Sequence, residues 1–180
     1  MPFTPFHFGP GLLISLTFLS FIDIPTFLIA SVIIDVEPFL VLVFQLNYPL
    51  HGFFHSFLGG FIVAALLTMV MSKIRRYFTP LLTFFKLEQS ISFKKIFFSS
   101  TCAIFLHILL DSPIYLDIRP FFPFEFNPFY QSSVMPGLIE YMICVWCFVG
   151  AILVYIIRLL QHKITIKKKP LDELKKPPLM

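Results

Sequence analysis

Histidine and aspartate side chains recur inside or at the borders of the most apolar segments of this chain. His51 and His55 are four residues apart in YPLHGFFHS, and His107 and Asp111 repeat the spacing in HILLDSP. On a helix, side chains four residues apart share one face, where two imidazoles, or an imidazole and a carboxylate, can bind one metal ion. An uncompensated polar group is costly in hydrocarbon, so residues of this kind within apolar segments indicate a function.

His7 and Asp35 join these pairs if the N-terminal apolar stretch folds back on itself. The stretch between them is long enough to cross a bilayer, but FIDIPTF interrupts it with an aspartate suited to a helix cap and a proline suited to a first helical turn. Two interpretations remain open: one kinked span, or a hairpin of two short helices at about residues 9–21 and 24–35. We favour the hairpin because it brings His7 and Asp35 to one end, whereas a single span separates them by about 40 Å.

The composition indicates an integral membrane protein. Of the 180 residues, 57% are hydrophobic and 13% are charged, with 25 phenylalanines and 15 prolines, which suits short helices in lipid better than a soluble core. We expect an all-α, multi-span helical bundle that forms one membrane-embedded domain over residues 1–162. A basic, proline-containing and disordered tail is expected at residues 163–180. Besides the hairpin, the expected spans are residues 51–72, 96–111 and 134–160.

Basic residues flank these spans and predict their orientation. They cluster in the connection at residues 73–95 and in the C-terminal tail, so the positive-inside rule places both on the cytoplasmic side of the cell membrane. The two histidine-containing pairs then share the outer face. We interpret the basic clusters as topology signals and expect no nucleic-acid partner. Arg119, the only basic residue expected on the outer side, is the candidate to contact an anionic substrate.

The histidines and aspartates together form a ligand set for one metal ion with three or four ligands, or for two ions about 3.5–4 Å apart. This mixture of nitrogen and oxygen ligands favours zinc, with manganese and iron as alternatives. Asp35 and Asp111 are also candidate general bases, and Glu140 and Asp117 are candidates to support the site from outside or to face the substrate. The expected metal ligands are His7, Asp35, His51, His55, His107 and Asp111.

Four motifs follow one another over about residues 1–125: His7 before a glycine-rich helix start, Asp35 in IIDVEP, HGFFHS, and HILLDSP leading to RPFFPF. In these motifs the chain resembles the YdjM-like family of membrane-bound metal-dependent hydrolases. The resemblance implies a helical relative of zinc-dependent phospholipase C, in which an N-terminal residue, histidine pairs and aspartates bind a metal cluster. Family members often have a second aspartate at the acidic helix end, for which Glu37 is the candidate here, and an arginine where this chain has Gly52.

These observations favour a metal-dependent hydrolase that acts on an ester or phosphoester, including a lipid head group, at the outer membrane face. A divalent metal lowers the pKa of its bound water towards 7, and Arg119 is the candidate to stabilise charge on the substrate. Two alternatives stay open. The first is a metal or ion transporter, which is expected to hold such groups near the midplane on broken helices within a repeat. The second is a non-catalytic scaffold, which is expected to close a four-ligand shell around a structural metal. The expected partners are the lipid bilayer and a small-molecule or lipid substrate, with the oligomeric state left open.

Overall fold

The described part of the chain is an all-α bundle. The structure, a computed structural model, describes the main chain of residues 4–174 and the side chains of residues 5–164. Within these residues there is no strand, which confirms the predicted fold class. The helices are α1 (Phe8–Thr17), α2 (Ile24–Ile33), α3 (Val36–Phe44), α4 (Phe57–Ile74), α5 (Thr79–Phe84), α6 (Phe93–Asp111) and α7 (Met135–Leu174).

Four apolar segments are long enough to cross a membrane. Each has 19 to 30 residues, against about 20 needed for a bilayer core. Large apolar side chains such as Leu66, Trp146 and Ile152 lie on the outside of the bundle. An exposed apolar surface of this extent suits lipid better than water, so the segments indicate a membrane environment. They are Ile24–Phe44, Phe57–Phe84, Phe93–Asp111 and Met135–Ile164.

The N-terminal stretch forms the predicted hairpin. α1 and α2 are separate helices that pack against each other, and the loop between them ends at Asp23, whose Oδ2 accepts the Thr26 N–H at 3.2 Å. Asp23 is therefore the N-cap of α2, with Pro25 in the first turn. The second limb is longer than predicted, because after a break at Asp35 the chain continues as α3.

The span predicted to start at His51 begins instead at Phe57. Ser56 is the N-cap of α4, since it has extended main-chain torsion angles and its Oγ accepts a main-chain N–H of the first turn at 3.0 Å. His51 lies in the preceding loop, and His55 ends a short 3-10 turn. The two rings therefore do not share a helix face, and the helical explanation of their spacing is wrong.

The last helix is longer than predicted. α7 continues to Leu174, so residues 163–174, which were expected to be disordered, are helical. Extending a helix that has already formed requires no new nucleation, and lysine and leucine are good helix formers. The remainder of the predicted tail, residues 175–180, lies outside the described residues.

Buried polar contacts hold the bundle at the end opposite to the histidines. Arg75 Nε lies 2.5 Å from Asp23 Oδ1, and both residues are 1% exposed. The Asp23 N–H donates to Ser99 Oγ at 2.7 Å, and Lys95 Nζ donates to a main-chain oxygen of the same loop at 2.6 Å. The run from Lys95 to Asp111 covers about 24 Å at the helical rise of about 1.5 Å per residue, so α6 connects this end with the opposite one.

Two glycines allow helices to approach closely near the histidines. A Cβ on Gly9 of α1 would lie 2.3 Å from the main-chain oxygen of Cys144 in α7. A Cβ on Gly60 of α4 would lie 2.8 Å from the side chains of Ile104 and Ile108 in α6. Neither position has room for a side chain in a close-packed interior. The two contacts set α7 against α1 and α4 against α6.

Candidate metal centre

The His107 ring is held by the turn that ends α2. Its Nδ1 lies 2.7 Å from the main-chain oxygen of Ser31, which can only accept, so Nδ1 carries a proton and Nε2 is left to face the site. In the same turn the Asp35 N–H donates to the Val32 oxygen at 3.2 Å. His107 Nε2 lies 3.2 Å from Asp35 Oδ1 and 3.3 Å from Asp111 Oδ2. The predicted approach of His107 to Asp111 on one helix face is therefore present.

His55 is oriented by Glu37. Its Nδ1 donates to Glu37 Oε2 at 2.9 Å, while its buried Nε2 has no hydrogen-bond partner among the described residues and lies 3.8 Å from Asp35 Oδ1. Burial of the ring acts to lower the His55 pKa, but contacts with the carboxylates of Asp35 and Glu37 outweigh burial and raise it. Glu37 also accepts the N–H groups of Gly52 and Phe54 at 3.1 and 3.2 Å, which fixes the loop before α4.

Four side chains, which we call the first group, direct ligand atoms at one another. One nitrogen or carboxylate oxygen of each lies within 4.8 Å of those of the other three. A tetrahedral ion with ligands at about 2.0–2.1 Å separates them by about 3.3–3.4 Å, and three pairs here lie at 3.2, 3.3 and 3.8 Å. Both histidine Nε2 atoms are buried and meet no hydrogen-bond partner in the described part of the chain. These residues therefore fit a divalent cation. The first group is Asp35, His55, His107 and Asp111.

His7, Asp111 and Glu140 form a second group, whose ligand atoms also lie within 4.8 Å of one another. His7 Nε2 is 3.4 Å from Asp111 Oδ1, and its ring stacks on that of His107 with centroids 4.1 Å apart. Glu140 reaches the group from α7, and all three residues are buried. Asp111 belongs to both groups, and the hairpin brings His7 and Asp35 to the same end of the bundle, although in two neighbouring groups and not in the single set that the sequence predicts.

His51 lies beside the first group but belongs to neither group. Its Nδ1 is 3.0 Å from Asp117 Oδ1, and its main-chain N–H donates to Asp117 Oδ2 at 2.9 Å. Its ring contacts those of His55 and Tyr115, with centroids 4.8 and 4.1 Å apart. Partial burial acts to raise the Asp117 pKa, but the hydrogen bonds from His51 outweigh burial and lower it. Asp117 thus engages Nδ1 of His51 as Glu37 engages Nδ1 of His55, and the ligand role of His51 stays a prediction.

Arg119 lies in a cleft next to His51. The cleft has a volume of about 380 Å³, and Tyr48 and Phe122 contribute aromatic walls. The Arg119 side chain is 44% exposed and pairs with Glu125 at 3.0 Å. Arg119 thus lies outside both groups and lines the same cleft as His51.

Two contacts of the site are not predicted by the sequence pattern. The acceptor for His107 is a main-chain oxygen, which leaves no signal in the choice of side chains. The second contact is that of Glu140 with the second group. The sequence does not predict it as a ligand, because a single glutamate in the last span has no partner at a regular spacing. A buried glutamate in an apolar helix is the one signal that points to it.

Comparisons with models of protein families, with curated proteins and with solved structures gave no match. The resemblance to YdjM-like hydrolases and the relation to zinc-dependent phospholipase C therefore stay predictions. The function is argued below from the geometry of the site.

Proposed function

We propose that this chain is a membrane-bound metal-dependent hydrolase that acts on an ester or phosphoester. One observation carries the proposal: the Nε2 atoms of His55 and His107 converge on the carboxylates of Asp35 and Asp111, while both Nδ1 atoms are engaged elsewhere. Such outer contacts fix the tautomer and orientation of metal-binding histidines. Two neutral imidazoles and two carboxylates balance one divalent ion, for which zinc is favoured and manganese and iron are alternatives.

The proposed route of water and substrate to the first group lies beside Asp35. The Asp35 side chain is 14% exposed, whereas that of Asp111 is 4% exposed and those of His55 and His107 are fully buried. A bound metal supplies Lewis acidity and lowers the pKa of its water to about 7. Asp35 is the carboxylate placed to accept a proton where water enters. Asp111, which lies between His7 and His107, serves as a ligand.

Arg119 is the proposed contact for a negatively charged group of the substrate. Its ion pair with Glu125 is exposed and therefore weak. A phosphate in the cleft can replace Glu125, because a guanidinium group binds phosphate through two parallel hydrogen bonds. Exposed aromatic side chains nearby, including Phe122 and Phe124, favour a lipid or lipid-like substrate.

We also propose that the site lies at the outer face of the cell membrane. His55 precedes α4, and Lys73 lies in the last turn of that helix. α6 runs in the opposite direction, from Lys94 in its first turn to Asp111 at its end. The basic residues thus flank the end of the bundle opposite to the first group, and the positive-inside rule assigns that end to the cytoplasm.

A metal-ion transporter is the second candidate, because Asp35 lies at a helix break. The break separates α2 from α3 within the apolar segment Ile24–Phe44. Transporters often place ion-binding groups at interruptions of this kind. Ion uptake without hydrolysis is the property that would distinguish this function.

Metal analysis of protein purified in detergent and dialysed against zinc tests the proposal. We expect the wild type to retain stoichiometric zinc and to hydrolyse phosphodiester, carboxyl-ester or phospholipid substrates, and His107→Ala to lose both properties. His162→Ala, which changes an exposed histidine far along α7, is the matched control and should keep both. Wild-type protein without bound metal would refute the proposal. Zinc uptake into proteoliposomes without hydrolysis supports the transporter, and bound metal with neither activity supports the scaffold.

A further inference from the structure

We infer that a second divalent cation binds beside the first one, held by His7, Asp111 and Glu140. The inference rests on the proposed metal-binding function of the first group and extends that group to a two-metal centre. It assigns a ligand role to Glu140, a residue of α7 that lies outside the motifs of the first 125 residues.

Glu140 is the strongest sign of a cation at this position. The residue is 4% exposed, and both of its carboxylate oxygens are buried without a hydrogen-bond partner among the described residues. Its neighbour Asp111 is a second carboxylate, which can accept but not donate while it is ionised. Two adjacent buried carboxylates require either a cation or a shared proton, because burial of unpaired charge is costly.

The orientation of Asp111 favours the cation. Its Oδ2 faces His107 Nε2 at 3.3 Å, and its Oδ1 faces His7 Nε2 at 3.4 Å. The two oxygens of one carboxylate therefore point at ligand atoms of different groups, which is the geometry of a carboxylate that bridges two ions. The rings of His7 and His107 are stacked 4.1 Å apart, which suits two ions separated by about 3.5–4 Å.

The packing of α7 supports the assignment. Gly9 lies in the first turn of α1, two residues after His7, and a Cβ there would meet the main-chain oxygen of Cys144, one turn after Glu140 in α7. This close contact fixes the register of α7 against α1 and brings Glu140 to His7.

A second ion also changes the charge that a substrate meets. With one divalent ion in the first group, Asp111 and Glu140 share a proton, and the ion balances the two negative charges that remain on Asp35 and on this pair. A second divalent ion in place of that proton adds one positive charge, which attracts an anionic substrate. The two-metal centre therefore favours a phosphoester over a neutral carboxyl ester within the proposed function.

Zinc stoichiometry of the full chain, measured by mass spectrometry after equilibrium dialysis, tests the inference. We expect two zinc ions per wild-type chain and one in Glu140→Gln, which keeps the shape of the side chain but removes its charge. Glu88→Gln, at an exposed carboxylate, is the matched control and should keep two. His7→Gln should also retain one, and serves as the test if Glu140→Gln does not fold. With manganese instead of zinc, we expect the spectrum of a spin-coupled pair in the wild type and of an isolated ion in both variants.

The outcomes separate this inference from the proposed function. One zinc ion in both the wild type and Glu140→Gln would overturn the second site and leave the hydrolase proposal intact. Two ions retained in Glu140→Gln would show that Glu140 is not a ligand and would overturn its assignment. No zinc in the wild type would overturn both.

Discussion

The Nδ1 atom of His107 lies 2.7 Å from the main-chain oxygen of Ser31, so a turn of the backbone orients this imidazole. His55 differs, because the side chain of Glu37 orients its ring. Side-chain substitution can remove the contact of Glu37 with His55, but it cannot remove the main-chain oxygen that contacts His107. The two histidines of the first group can therefore be tested separately.

Replacing Glu37 with glutamine should weaken zinc binding about 10-fold to 100-fold, because outer contacts of a ligating histidine have effects of this size. A competition titration with a chelator measures the change. The maximum zinc stoichiometry should be preserved, since Glu37 belongs to neither group. An affinity equal to that of Glu88→Gln would show that Glu37 does not orient His55.

Removing the ring of His51 should leave zinc binding intact. His51→Ala is expected to retain the wild-type stoichiometry, because His51 belongs to neither group of converging ligand atoms. His55→Ala should lose zinc from the first group in the same measurement. Loss of an ion from His51→Ala would restore His51 to the ligand set predicted by the sequence.

Zinc affinity should fall as the pH falls through the His55 pKa, which lies above its ordinary value of 6.5. Nδ1 already donates to Glu37, so the added proton occupies Nε2, the atom that faces the first group. Protonation opposes zinc binding, and one displaced proton changes the affinity by about tenfold per pH unit below the pKa. Chelator competition between about pH 5.5 and 8 measures this. A constant affinity across that range would contradict the contacts of His55.

Breaking the buried ion pair of Asp23 and Arg75 should destabilise the bundle without removing zinc. Arg75→Met leaves a buried carboxylate uncompensated, at a cost of about 3–5 kcal/mol in the free energy of unfolding. Denaturant titration in detergent measures this cost. The neighbouring exposed arginine gives the control Arg76→Met, which should have little effect. Equal stabilities of the two variants would show that the ion pair contributes nothing measurable.

An added methyl group at Gly9 should separate α1 from α7. The new Cβ would lie 2.3 Å from the Cys144 oxygen, and the main chain cannot yield as a flexible side chain does. We expect Gly9→Ala to lower thermal stability and to lose the zinc ion of the second group. Gly137→Ala is the control: a Cβ there meets nothing within 4 Å, and alanine is favoured over glycine by about 0.5–1 kcal/mol in a helix. Equal melting temperatures of the two variants would contradict the close packing.

Local signals in the sequence predicted much of the fold. The motif FIDIPTF indicates that one helix ends and another begins, and Asp23 does cap α2. The spacing of His107 and Asp111 holds because both residues lie on one regular helix, α6. The same spacing fails for His51 and His55, because the Ser56 cap places the start of α4 after them. That serine is itself a start signal, and it indicates a boundary more reliably than the spacing of two histidines.

Long-range packing accounts for what the sequence pattern does not predict. Glu140 lies near His7 because α7 packs against α1, with a close approach at Gly9, and no local spacing encodes that register. Asp117 lies in an irregular loop, so its contact with His51 depends on the path of that loop. The break at Asp35 is visible in the sequence as an acidic residue within an apolar run. The closeness of Asp35 to His107, however, depends on how α2 packs against α6.

The position of α7 at the end of the described chain implies an order of assembly during synthesis. The residues of the first group all precede position 112, so α1 to α6 are sufficient to bring them together once these helices are inserted. The second group requires Glu140, which emerges later, and its partner His7 lies near the start of the described chain. The short turn before α1, which carries His7, must therefore stay accessible beside Asp111 until α7 arrives. A chain arrested before α7 would present the first group alone, and the last inserted helix would complete the site.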